Sequence, residues 1–175
     1  PTLTHKEETA HNIEHLVRQT YKDEIYTPNK FINAARNSGQ LFNIFKFMFD
    51  QGCRQAAKTG LHYSINISDC EFHHEGLLEY IIETIEYYKV DPTLLSLEIL
   101  ESHAITQSDE IRDIILEIHK LGVEFIIDDF GVQCSNFGQT ELLPITTVKI
   151  DGSFIVNINE SNNSQTIVKT IHTYA

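Results

Sequence analysis

The chain has 175 residues, 41% of them hydrophobic, which is enough for a sizeable buried core. Its net charge is -12, from 13 Lys and Arg against 25 Asp and Glu, and it lacks the basic stripe that binding to a nucleic-acid polymer requires. Three cysteines without a C-x-x-C pair argue against a disulfide framework and favour a reducing cytoplasm, and no run is apolar and long enough to span a membrane.

Strand and helix patterns alternate along the chain. Period-two or continuous apolar runs predict five strands, over about residues 12–18, 62–68, 95–101, 124–128 and 147–151. Helical spacing predicts helices over about 31–35, 40–58, 77–85, 108–122 and 164–175, with Ser108 and Gly122 as caps of the fourth. This alternation predicts an α/β fold with a parallel sheet. A closed eight-stranded barrel takes about 250 residues, so we expect the chain to end before such a barrel would close.

The strand that begins at Glu124 runs directly into Asp128, Asp129 and Gly131. Two adjacent carboxylates behind an apolar run repel each other unless a cation binds there, so we interpret Asp128 and Asp129 first as metal ligands. The alternative is an exposed acidic turn that ends the strand. The polar residues of the other strands favour the metal site.

Each predicted strand carries a polar residue on the face opposite its Val, Ile and Leu residues. These polar residues are Glu14, Asn66, Glu98, Asp128 and Lys149. The last four lie at or near the carboxyl end of their strands, which is where a barrel carries its active site. Such a set is costly to bury without a function, although hydrogen-bonded core polar groups remain the alternative.

The chemistry of this set is coherent. Carboxylate and amide oxygens suit Mg²⁺ or Mn²⁺ rather than zinc or copper. Two such ions can clamp the attacking and leaving oxygens of a phosphoryl displacement and lower the pKa of a water between them. Lys149 could orient or deprotonate that water, or stabilise charge on the phosphorane. Arg18, predicted on the strand face of Glu14, could hold a phosphate as a bidentate partner.

The same residues resemble the signature motifs of the EAL-domain family, the bacterial phosphodiesterases of cyclic di-GMP. The resemblance runs from about Glu14 to the end of the chain in the family's order. The matching segments are Glu14-His15-Leu16-Val17-Arg18 for E-A-L-x-R, Pro28-Asn29-Lys30-Phe31-Ile32 for P-x-x-F-I, Asn66-Ile67-Ser68 for N-x-S, Glu98-Ile99-Leu100-Glu101 for E-x-T-E, Asp128-Asp129-Phe130-Gly131 for D-D-F-G and Lys149-Ile150-Asp151 for K-x-D. Their combination is specific, whereas each motif alone is weak.

The resemblance implies a TIM-like (β/α) barrel of the EAL type that hydrolyses cyclic di-GMP to linear pGpG with Mg²⁺ or Mn²⁺, and that binds without turnover when Ca²⁺ replaces them. It implies that the metal ligands are Glu14, Asn66, Glu98, Asp128 and Asp129. It implies that Lys149 acts on the water and that Glu101 braces the loop after Asp129. The residues that would contact the substrate or a metal-bound water are Leu16, Arg18 and Asp151. It further implies a cytoplasmic homodimer with regulatory domains elsewhere in a longer protein, and no membrane contact by this domain.

The sequence departs from the family pattern at several places. His15 replaces the central alanine and is expected to pack away from Glu14, and Leu100 replaces the usual threonine. The family's A-E-G-V-E and Q-G-Y segments lie beyond Ala175, so we expect residues 1–175 to be a single EAL domain without its last two strand–helix units. The alternative function is a degenerate EAL domain that acts as a cyclic di-GMP receptor or a protein-interaction module. Gln133 and Cys134, in place of the family's loop residues, favour that alternative.

Overall fold

The structure is a computed structural model that describes residues 12–101, 108–132, 143–156 and 158–174. The strands are β1 Asn12–His15, β2 Gln19–Tyr21, β3 Glu24–Tyr26, β4 His62–Ile67, β5 Leu95–Leu100, β6 Glu124–Phe130 and β7 Ile145–Ile150. The helices are α1 Pro28–Asn37, α2 Leu41–Thr59, α3 Asp69–Phe72, α4 Leu77–Tyr88, α5 Asp109–Lys120, α6 Gly152–Val156 and α7 Asn162–Tyr174, with a 3-10 turn at Pro92–Leu94. No helix within these ranges is both long and apolar enough to cross a membrane.

Five of the strands form one parallel sheet in the order β1-β4-β5-β6-β7, and β2 pairs with β3 as a separate antiparallel hairpin. The predicted α/β fold with five parallel strands is therefore confirmed. The two outermost strands of the sheet meet through Glu14 of β1 and Lys149 of β7, whose Oε2 and Nζ atoms are 3.4 Å apart. The sheet is thus strongly curved, and the carboxyl ends of its strands converge.

Helices cover one face of this sheet. The apolar stripe predicted for α2 is confirmed, because Phe45, Phe49 and Cys53 are buried in the same core as Ile65 of β4. Side chains alternate between the two faces of a strand, so the odd-numbered apolar residues of β4 and β5 turn toward the helices. Their even-numbered polar neighbours consequently face the concave side of the sheet.

The structure also corrects some boundaries and adds short elements. The strand predicted over 12–18 ends at His15, and the chain then forms the β2–β3 hairpin. The hairpin turn has positive φ angles of 48° at Lys22 and 63° at Asp23 without the glycine that usually marks such a turn. Helices α3 and α6 have only 4 and 5 residues, too few for a helical period to be recognised.

The predicted N-cap of α5 is confirmed, whereas the C-cap is Leu121, one residue before the predicted Gly122. The Ser108 side chain accepts a hydrogen bond from the backbone N–H of Ile111 at 3.4 Å, as expected of an N-cap. Gly122 lies just beyond the helix with a φ of 107°, a conformation that favours glycine. These residues set the two ends of α5, the helix that lies between β5 and β6 in the chain.

Candidate metal centre

Three carboxylates converge at the carboxyl ends of the strands. Glu14 of β1, Glu98 of β5 and Asp128 of β6 each offer an oxygen, and these three atoms lie within 4.8 Å of one another. Strand register explains why Glu98 and Asp128 are close: Asp128 lies opposite Leu100, which is two residues after Glu98 on the same face of β5. Three carboxylates at this spacing repel one another unless cations compensate them.

Glu98 lies deepest in this cluster. Its side chain is 0% exposed, whereas that of Glu14 is 37% exposed. Its Oε2 atom is buried and has no hydrogen-bond partner among the residues that the structure describes. A buried carboxylate oxygen without a partner is costly, so the structure must satisfy it in some way. Carboxylate oxygens clustered in this manner suit a hard divalent cation, and the donor set fits Mg²⁺ or Mn²⁺.

Lys149 supplies the positive charge beside the cluster. Its Nζ lies 2.5 Å from Oε1 of Glu98 and 3.4 Å from Oε2 of Glu14. Burial acts to lower the pKa of Lys149, but the hydrogen bond to Glu98 and the charges of Glu98, Glu14 and Asp128 outweigh it, so the pKa is raised. In this arrangement Lys149 is a cationic donor rather than a base.

A β-bulge in β6 brings both adjacent aspartates to the carboxylate cluster. Ile127 pairs with Val148 and Phe130 pairs with Ile150, so Asp128 and Asp129 together oppose the single residue Lys149. The bulge places Asp129 at a φ of 55°, a conformation that is uncommon for residues other than glycine. Without the bulge, strict alternation would send the two carboxylates to opposite faces of the sheet.

Asp129 forms a second acidic group with Asp151, which follows β7. Burial raises the pKa of Asp129, and the charges of Asp128, Asp151 and Glu14 together with a hydrogen bond to Asp151 raise it further. The pKa of Asp151 is lowered, because the Ser153 side chain and backbone donate hydrogen bonds to its carboxylate. The predicted residues Asp129 and Asp151 thus lie together, beside the three clustered carboxylates.

The raised pKa of Asp129 predicts a stabilising mutation in the metal-free protein. A folded-state pKa above 3.8 contributes stability at low pH that is lost as the pH rises through that pKa. In EDTA at pH 7 we expect Asp129→Asn to increase the free energy of unfolding by about 0.5 kcal/mol, a small value because solvent screens this exposed group. Urea unfolding should show the difference shrinking as the pH falls from 7 toward 4. A variant less stable than the wild type at pH 7 would contradict the assignment.

Glu101 is buried beneath the segment that follows the aspartates. It is 2% exposed, and its Oε2 accepts a hydrogen bond from the backbone N–H of Gly131 at 3.0 Å. Gly131 has a φ of 101°, and a Cβ there would come within 3.0 Å of Cε2 of Phe154. This position therefore requires glycine, and Glu101 holds it in place.

The remaining predicted residues lie around the rim. Asn66 donates from Nδ2 to Oε1 of Glu14 at 3.4 Å, which leaves its amide oxygen as a potential ligand. Leu16 is 48% exposed directly after β1. The expectation that Arg18 shares the strand face of Glu14 is wrong, because β1 ends at His15, and the Arg18 guanidinium donates to the carbonyl of Val17 at 2.8 Å.

Two further observations concern the departures from the family pattern. His15 packs edge-on against Tyr63 with ring centroids 5.1 Å apart, so its expected packing role is confirmed. Leu100 is 37% exposed beside Asp128. Gln133 and Cys134 lie outside the described residues.

The model of the EAL domain family matches residues 1–175, the whole chain. The chain belongs to the EAL-domain family. This EAL domain is 30% identical to the signaling protein YkoW of Bacillus subtilis over 98% of its own length and 22% of YkoW. It is 28% identical to the probable cyclic di-GMP phosphodiesterase PdeA of Escherichia coli over 89% of its own length and 22% of PdeA. The chain thus spans about a fifth of these relatives.

Solved structures agree with this assignment. The EAL domain superposes on the PaMucR phosphodiesterase in its c-di-GMP complex with a TM-score of 0.86 at 27% identity, over 94% of this chain and 69% of that one. It superposes on an EAL domain protein from Listeria monocytogenes EGD-e with a TM-score of 0.79 at 26% identity, over 90% of this chain and 64% of that one. These likenesses confirm the TIM-like EAL fold.

Proposed function

We propose that this EAL domain hydrolyses cyclic di-GMP to linear pGpG in a reaction that depends on divalent metal ions. The observation that carries the proposal is the cluster of Glu14, Glu98 and Asp128, with Lys149 between two of its carboxylates. Relatives of the same family are named as cyclic di-GMP phosphodiesterases, among them PdeA of Escherichia coli and PdeB of Shewanella oneidensis.

The residues divide into a metal-binding group and a substrate group. Glu14, Asn66, Glu98 and Asp128 would hold the first ion, and Asp129 would contribute to holding a second. When bound, Mg²⁺ or Mn²⁺ supplies charge stabilisation for the phosphodiester and lowers the pKa of a water. Lys149, cationic beside the cluster, donates hydrogen bonds and stabilises the developing negative charge. Glu101 braces Gly131.

The substrate group lies at the rim of the cluster. Leu16, Arg18 and Asp151 follow the carboxyl ends of β1 and β7, where a bound cyclic dinucleotide would meet the protein. Arg18 has to leave the carbonyl of Val17 to reach a phosphate, and a side chain on an exposed segment can do so at little cost. These three residues are therefore proposed to orient the substrate.

A cyclic di-GMP receptor without turnover is the second candidate function. Leu100 favours it, because a leucine that is 37% exposed beside Asp128 places an apolar group where a hydroxyl could have bound a water or a phosphate oxygen. In this reading the carboxylates retain the ligand and the metal, but the attacking water is poorly held.

We also propose that residues 1–175 form part of one EAL domain, and that the domain works as a homodimer in a longer cytoplasmic signalling protein with regulatory domains. The much greater length of the relatives supports the last point, since the chain covers 22% of YkoW. The free cysteines Cys53 and Cys70 are compatible with a reducing compartment.

Calorimetric titration separates the two functions. We expect cyclic di-GMP to bind when Ca²⁺ is present, and linear pGpG to appear when Mg²⁺ or Mn²⁺ replaces it. Binding without product in Mg²⁺ and Mn²⁺ would establish the receptor function instead. Absence of binding under every metal condition would overturn both.

A further inference from the structure

Two serines lie on the concave face of the sheet directly below the carboxylate cluster. Ser64 of β4 and Ser96 of β5 are opposite each other in the parallel register, and Glu14 pairs with Ser64 from the other side. Ser96 is two residues before Glu98, so both point to the same face. The two hydroxyls and the Glu98 carboxylate therefore occupy neighbouring positions.

All three groups have a buried oxygen atom for which the described part of the chain offers no hydrogen-bond partner. Ser64 and Ser96 are both 0% exposed, and neither Oγ has a hydrogen-bond partner among the described residues. The same is true of Oε2 of Glu98. Buried polar atoms are almost always satisfied, and three orphaned oxygens side by side identify a place where a small polar molecule completes the network.

We propose that Ser64 and Ser96 bind a buried water molecule that donates a hydrogen bond to Oε2 of Glu98. Neighbouring strands lie about 4.8 Å apart, and residues two apart on a strand lie about 6.6 Å apart, so one water can reach all three oxygens. The site offers three polar partners, which is the usual number for a buried water. Ser64 and Ser96 are thus positioning residues that orient the deepest carboxylate of the metal centre.

This inference rests on the proposed metal-dependent function. Partners behind a metal ligand fix its orientation, and their removal commonly weakens metal binding by about 10- to 100-fold. An unsupported Glu98 carboxylate could rotate toward Lys149, whose Nζ already lies 2.5 Å from Oε1. Metal affinity therefore depends on both serines, although neither contacts the ion.

The test is the Mn²⁺ affinity of the double variant Ser64→Ala, Ser96→Ala, measured by calorimetry without cyclic di-GMP. We expect the affinity to fall about tenfold while the circular dichroism spectrum of the double variant stays that of the folded wild type. Thr84→Ala is the matched control. It removes a buried hydroxyl that donates to the carbonyl of Tyr80 in α4, and it should leave Mn²⁺ affinity unchanged.

The variant Glu98→Gln shows whether a negative result contradicts only the buried water or the metal centre as well. If this variant loses Mn²⁺ binding and the serine double variant binds within twofold of the wild type, the buried water is overturned and the metal centre stands. If Glu98→Gln also binds Mn²⁺ like the wild type, the metal centre itself is wrong and the inference falls with it. A double variant that loses both its Mn²⁺ affinity and its folded circular dichroism spectrum would assign the serines to packing, which likewise overturns their positioning role.

Discussion

Replacing Glu98 with glutamine is expected to abolish tight Mn²⁺ binding and to lower the rate of cyclic di-GMP hydrolysis by at least about 100-fold, because a catalytic metal supplies several kcal/mol of charge stabilisation. The substitution preserves size and removes the charge of the most buried carboxylate in the cluster. Calorimetry gives the metal affinity, and separation of linear pGpG from cyclic di-GMP gives the rate.

The matched control is Glu117→Gln on α5. Glu117 is a solvent-exposed glutamate that pairs with Lys120 one turn away, so the same chemical change there should alter neither measurement. Circular dichroism establishes that both variants are folded. Hydrolysis by Glu98→Gln at the wild-type rate would refute the assignment of Glu98 as a metal ligand.

Replacing Lys149 with methionine is expected to destabilise the metal-free protein by roughly 3 kcal/mol, because Glu98 then keeps a buried charge without its cationic partner. This value is at the low end of the range for fully buried pairs, since the Lys149 side chain is 30% exposed. The same substitution removes the donor that we propose for the reacting phosphate, so hydrolysis should also be strongly reduced. Urea unfolding in EDTA measures the loss of stability.

The double variant Lys149→Met, Glu98→Gln isolates the cause. With the buried carboxylate neutralised, most of the lost stability should return, which gives a large coupling energy between the two positions. Lys120→Met is the control, because it breaks an exposed ion pair and should change the free energy of unfolding by less than about 1 kcal/mol. If the double variant is as unstable as the Lys149 single variant, uncompensated charge is not the reason for the loss.

The sheet and its inward polar residues could be predicted from the sequence because strand periodicity is a local property. Period two assigns Ser64 and Asn66 to one face of β4 and Ile65 to the other, whatever the strand pairs with. The order of strands along the chain then places Glu98 and Asp128 at the same edge. Local pattern and parallel topology were therefore sufficient to predict that Glu98 and Asp128 meet.

The bulge could not be predicted in the same way. Whether Asp128 and Asp129 share one position opposite Lys149 depends on how β6 pairs with β7, which is a long-range property. The position of Arg18 outside β1 could not be predicted for a similar reason. The alternation of residue types continues through residue 18, but the strand ends at His15 and the chain then enters the β2–β3 hairpin. The positioning role of Ser64 and Ser96 could not be predicted from the sequence, because a buried serine in a strand is unusual only when its hydroxyl lacks a partner.

The contact between the two outermost strands determines how late in folding the carboxylate cluster gains its lysine. Glu14 and Lys149 are separated by 135 positions in the chain, and contacts of such long range form late because a large loop has to close first. A nascent or cleaved chain that has not yet added β7 to the sheet holds its acidic residues without the lysine that compensates them. The three carboxylates and the lysine beside them therefore come together only after the whole sheet has assembled, so folding itself sets when the metal centre is complete.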